Sequence, residues 1–107
     1  MAPLDVTAML KLDAAARSRI FSQNAPVTNA LAALYKLWNH ETPTLFDPMA
    51  VAMLLDPALC QTQELAIEVD DKGYTRVVEG KPANATAGMS TDPARFFALY
   101  LDRVAGK

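Results

Sequence analysis

An unbroken apolar run, Met49 to Leu55, closed at both ends by Asp-Pro pairs (Asp47-Pro48 and Asp56-Pro57), limits what this chain can fold into more than any other feature. Proline in the first turn of a helix gives up a donor that had no partner, and an aspartate before it can accept from the free N–H groups there. The stretch TPTLFDPMAVAMLLDP therefore predicts a helix that starts at Asp47-Pro48 and stops before Pro57. A helix apolar all round is a buried one. An aspartate at its mouth sits near the interior, where a carboxylate needs amide dipoles or a cation.

Capping is the plain account of Asp47, because Asp-Pro recurs at Asp92-Pro93 before RFFALYLDRV. The sharper account is that the carboxylate is there for a ligand. On local pattern alone the first weighs more.

The rest of the chain reads as support for this helix. Pro3 to Thr7 has the look of the end of a short strand whose sheet neighbours lie upstream. Asp13 predicts a cap for a helix over Ala14 to Ser22, and Asn24-Ala25-Pro26 breaks it. Val27, Leu31, Leu34, Tyr35 and Trp38 recur at spacings of three and four, which predicts a helix from Val27 to Asn39 with that face in the core. His40, the single histidine, follows at its C-terminal end, where the helix dipole favours it.

From Glu64 the period changes to two. Leu65, Ile67 and Val69 alternate with Ala66, Glu68 and Asp70, Asp71-Lys72-Gly73 forms a turn, and Tyr74 to Glu79 returns as the second arm of a hairpin. Asp70 and Asp71 are adjacent and point apart, so turn chemistry is expected of them rather than acid-base work. Ala85 to Met89 reads as a short strand, preceded by the glycosylation-type triplet Asn84-Ala85-Thr86. One of Ser90, Thr91 and Asp92 caps a last helix that buries Phe96, Phe97, Leu99, Tyr100, Leu101 and Val104 and ends at Gly106.

Composition bounds the function classes. The 107 residues suit a single domain, 1–107, and with 51% of them apolar a core of ordinary size is available. The net charge of -2 and the scatter of Lys11, Arg17, Arg19, Lys36, Lys72, Arg76, Lys81, Arg95, Arg103 and Lys107 give no basic stripe for nucleic acid. No run approaches membrane-spanning length, and Asp5, Lys11, Asp13 and Arg17 interrupt any signal-peptide core in the first twenty positions. Cys60 alone permits neither an internal disulfide nor a thiol metal cluster, and it reads as a small apolar filler.

The segment TLFDPMAVAMLLDPALC, together with PLDVT at Pro3 to Thr7, resembles the C-terminal portion of the inosine-uridine-type nucleoside hydrolase family. IEVDDKGYTRVVEG and AGMSTDPARFFALYLDRV are similar to that family's closing hairpin and last helix. The resemblance implies an α/β chain, a fragment of a nucleoside hydrolase-like open-sheet fold with three to four helices plus a β-hairpin. It also implies that Asp47 is a ligand to Ca²⁺ in a parent enzyme that splits the N-glycosidic bond of a ribonucleoside.

Two departures qualify what is carried over. No Asp-rich run of the kind that supplies the family's other calcium ligands and its water-activating base occurs in the chain. Where well-known members have a histidine acid before the calcium aspartate, Phe46 stands, and it has no proton to give. His40 is then the candidate replacement acid. Tyr35, Trp38 and Phe46 are the candidate contacts to the base, the first two as the large aromatics nearest the metal aspartate.

Two classes of function follow. In one, the chain is part of a calcium-dependent hydrolase, holds no calcium with useful affinity alone and is inactive by itself. In the other, it is a non-catalytic α/β module that self-associates or completes a partner. Both expect a homo-oligomer or association with a missing N-terminal part, and neither expects nucleic acid or membrane.

Overall fold

A computed structural model describes residues 1–106; Lys107, one of the scattered basic residues, lies outside them. Among the described residues five helices accompany two small antiparallel sheets, a mixed α and β architecture.

The chain opens with one helical turn, α1 (Leu4–Thr7), and not with a strand. Pro3 sets the entry and its carbonyl accepts from the N–H groups of Val6 and Thr7, while the Thr7 hydroxyl turns back onto the Pro3 carbonyl at 3.2 Å. These local bonds close a turn that the sequence PLDVT does not advertise. Helix α2 (Ala14–Phe21) is capped by Asp13, whose carboxylate accepts from Ala16 N–H at 2.8 Å.

Helix α3 (Pro26–Trp38) begins with a proline and with Thr28, whose buried hydroxyl accepts from the Ala25 N–H and donates to its carbonyl, 3.0 Å each. It ends on Asn39 in the left-handed conformation. The expected core face of α3 is not core: Val27, Leu34 and Trp38 are exposed, and Leu31 and Tyr35 are half-buried. The face is apolar, and the packing of α2 beside it leaves much of it in solvent.

Helix α4 (Phe46–Leu55) carries the apolar run, followed by a 3₁₀ turn (Pro57–Leu59) capped by Asp56, which accepts from Ala58 N–H. Strand β1 (Cys60–Leu65) starts four residues before the period-two pattern does. It pairs with β4 (Ala85–Thr91), Cys60 opposite Thr91 through Leu65 opposite Ala85, with one irregularity between Gln61 and Thr62. Leu65 therefore belongs to β1, and the hairpin is the shorter pair β2 (Ile67–Val69) and β3 (Thr75–Val77).

The turn of that hairpin is held by Asp70, whose carboxylate accepts from the N–H groups of Lys72 and Tyr74 and from Arg76 Nε. Those bonds, the Tyr74 N–H first and the Arg76 guanidinium next, hold its carboxyl below the ordinary value of 3.8. Asn84 is committed as well: its amide accepts from Ile67 N–H and donates to the Ile67 carbonyl, closing the end of β2 as a strand would. A glycan on Asn84 would have to break that pair.

Helix α5 (Pro93–Val104) packs on α2 and α4 and brings Phe96 to the centre of the core with Leu10, Ile20, Met49 and Leu59. Of its expected buried face only Phe96 is fully enclosed; Phe97, Leu99, Tyr100, Leu101 and Val104 are half-buried against the core. Cys60 is buried there too, and its sulfur approaches β4 so closely that a Cβ on Gly88 would lie 2.7 Å from it. No helix of the described residues is long and apolar enough to cross a membrane.

Candidate functional site

The start of α4 is fixed from outside the helix. Leu10 and Leu12 run antiparallel to Pro43 and Leu45: the Leu10 carbonyl accepts from Leu45 N–H and the Pro43 carbonyl from Leu12 N–H, 2.8 Å each, with Lys11 paired to Thr44 between them. All three leucines are buried, so burial holds this short ladder in register.

The ladder makes Leu45 the residue before the helix, Phe46 its first residue and Asp47 its second. This corrects the expectation that Asp47 is the cap. Pro48 falls third, where its missing N–H is still one of the four without a helical partner. The Asp47 carboxylate is exposed, and among the described residues it enters no hydrogen bond or ion pair. What remains for it structurally is the favourable end of the helix dipole.

The helix behind it is not enclosed either. Met49 and Ala52 are buried, but Val51 is 60%, Leu54 84% and Leu55 59% exposed. The expectation of burial all round fails because α5 and α1 pack on part of the helix and, among the described residues, the side that carries Val51, Leu54 and Leu55 is left open. Phe46, 40% exposed, stands at the open end.

The aromatic candidates form a separate constellation. Phe21, Tyr35, Trp38 and His40 make a row, with successive ring centroids at 5.2, 6.4 and 4.8 Å. The Tyr35 hydroxyl donates to the Glu41 carbonyl at 2.6 Å and pins the turn after α3. Beside the row lies a cleft of about 210 Å³ whose walls include Leu12, Phe21, Leu31, Tyr35, Trp38 and Tyr100. Burial pushes the Tyr100 hydroxyl above its ordinary pKa of 10.0.

The structure thus brings Tyr35, Trp38 and His40 together, and it leaves Phe46 and Asp47 out of the cleft's walls. Phe21 and Tyr100 complete the cleft and were not singled out in the sequence, since each carries the signature of an ordinary core aromatic. Only their convergence from α2 and α5 marks them.

Among the described residues no three side chains drawn from His, Cys, Asp and Glu converge as metal ligands. Ca²⁺ takes six to eight oxygens, so one carboxylate does not by itself fit it. No family model matches the chain, and no curated protein does.

Proposed function

We propose that this chain is the C-terminal part of a nucleoside hydrolase-like protein, in which Asp47 is one ligand of a Ca²⁺ site that other residues complete, and that it is inactive by itself. The observation that carries this reading is the freedom of the Asp47 carboxylate. Capping was its plain structural explanation, and the start of α4 at Phe46 removes it. A carboxylate held at a fixed helix start, in solvent and with no partner among the described residues, is available to a ligand. The resemblance of TLFDPMAVAMLLDPALC to the family says which ligand. Tyr35 and Trp38 are base-contact candidates through their cleft, and His40 is the candidate acid through its place on their row.

Calcium titration of the 107-residue chain followed by NMR tests this. Millimolar or weaker binding that shifts the Asp47 resonances and is lost in Asp47→Ala is expected, with no ribose released from inosine or uridine. Resonances of Asp47 that ignore calcium would remove the assignment, and turnover by the chain alone would overturn the claim of inactivity.

A further inference from the structure

We infer that the cleft between α2, α3 and α5 is a binding site in its own right, and that its ligand is a small, uncharged, flat aromatic molecule with one polar group, an indole or a phenol in its chemistry. The inference concerns this chain alone. It needs neither Asp47 nor calcium and does not rest on the hydrolase reading.

The cleft is built before any ligand arrives. Leu12 and Leu45 are held by the backbone ladder and Ile20 by α2, and all three are buried, which makes them its floor. Leu34 and Trp38 stand in the same walls but are 62% and 47% exposed, so the opening lies on their side. The Tyr35 hydroxyl fixes the turn after α3 through the Glu41 carbonyl, and the Arg17 guanidinium donates to the Leu12 carbonyl at 2.7 Å, tying α2 to the floor. Walls drawn from separate elements that bond to one another cost a ligand little ordering.

Size limits the ligand. An apolar cavity of about 150 Å³ takes up benzene, and drug-sized ligands fill clefts upwards of about 300 Å³. At about 210 Å³ this one suits a single ring or a fused pair of rings.

The chemistry of the walls narrows it further. Among the described residues no charged side chain stands in them, so an ion would lose its water without gaining a counter-charge. The rings of Phe21, Tyr35, Trp38 and Tyr100 offer stacking and edge-on contacts to a flat ligand, and Phe21 and Tyr35, with centroids 5.2 Å apart, already pack in that manner. Of the two hydroxyls, that of Tyr35 is spent on Glu41, whereas that of Tyr100 bonds to nothing among the described residues and is left for one polar group. A nucleobase carries several polar groups on its edges, and in the parent it would draw their remaining partners from outside this chain.

NMR titration of the full chain with indole, uracil and benzyltrimethylammonium decides the matter, with circular dichroism to confirm the fold of each variant. Indole is expected to shift the Trp38 and Leu31 resonances saturably, with a dissociation constant on the order of 1 mM or tighter. Uracil and the cation should bind at least about tenfold more weakly, since their polar groups or charge find no partner. Trp38→Ala should weaken indole at least about fivefold by removing a ring from the walls, and Tyr100→Phe about threefold to tenfold by removing the hydroxyl alone. Leu54→Ala, on α4, should change nothing. Shifts that never saturate, tighter binding of uracil or of the cation, or indole binding unchanged in Trp38→Ala or in Tyr100→Phe would each overturn the proposal. So would movement of the same resonances on concentrating the chain without ligand, which would mean that a second copy fills the cleft. Calcium binding at Asp47 is read separately, so failure here leaves that question as it was.

Discussion

Two helices of this chain open with the same dipeptide, and the fold uses the two copies differently. At Asp92-Pro93 the aspartate precedes α5, its carboxylate accepts from the N–H groups of Ala94 and Arg95, and the helix turns Phe96 into the core. At Asp47-Pro48 the aspartate is inside the first turn of α4, bonds to nothing among the described residues, and leads a helix with one side in solvent. The dipeptide itself does not separate the two cases. A ladder between Leu10–Leu12 and Pro43–Leu45 does, by fixing where α4 must begin. The lesson is that a short motif sets what a residue is able to do, and tertiary context decides whether it does it. An aspartate that the fold leaves idle is the better functional candidate for that reason.

The largest difference between the two helices should appear in their apolar residues. Phe96→Ala removes a fully buried ring from the middle of the core and is expected to cost about 3–5 kcal/mol in urea unfolding. Leu54→Ala, at a side chain 84% exposed, should cost less than about 0.5 kcal/mol. Similar losses in the two would mean that α4 is as enclosed as α5, and the contrast would vanish.

A second probe tests how tightly the α5 side is closed. Gly88 lies in β4, which leads into α5, and an added methyl there meets the Cys60 sulfur. Gly88→Ala should destabilise by about 1–3 kcal/mol through overpacking. Paired with Cys60→Ala it should cost less than the sum of the two single changes. Simple additivity would show that the strand shifts without strain.

Next in size is the cap itself. Asp92→Ala leaves the first N–H groups of α5 without their acceptor and should cost about 1 kcal/mol. Asp92→Asn should recover most of it, because the amide oxygen still accepts. A loss equal to that of alanine would mean that charge, and not capping, is what Asp92 supplies.

Asp70 permits a comparison by pH. Its carboxyl is held low by the Tyr74 N–H, the Arg76 guanidinium and the Lys72 N–H, so the ionised form is the one the hairpin favours. Its contribution is full above the ordinary value of 3.8 and is lost as pH falls through the lower folded value. Amide exchange at Lys72 and Tyr74, followed downward from neutral pH, should rise only below that ordinary value. Asp70→Asn should remove the dependence.

What was legible in the sequence was local. Asp13 and Asp92 as caps, the Asp71-Lys72-Gly73 turn and the middles of α2, α3 and α5 follow from groups a few residues apart. The misses are non-local or featureless. Strand β1 escaped because Gln61, Thr62, Gln63 and Glu64 are all exposed, leaving no period of two, and only pairing with β4 makes it a strand. The apolar stripes on α3 and α4 were legible as residues that prefer burial, but a stripe does not say whether this chain supplies the cover. Of the candidate site, the pattern singled out Tyr35, Trp38 and His40, whereas their row and the separation of Asp47 from the cleft depend on how α2, α3 and α5 meet.

The smallest effect is also the one that bears most directly on Asp47. If its only service to the fold is a negative charge near the helix N-terminus, Asp47→Ala should cost about 0.3–1 kcal/mol at low salt and nearly nothing in molar salt, where screening removes the dipole interaction. Asp47→Asn should match Asp47→Ala, in contrast to Asp92, because no hydrogen bond is at stake. A salt-independent loss near 1 kcal/mol that asparagine rescues would mean that Asp47 caps α4 in solution. The carboxylate would then have a structural task, and the reason for assigning it a ligand would be gone.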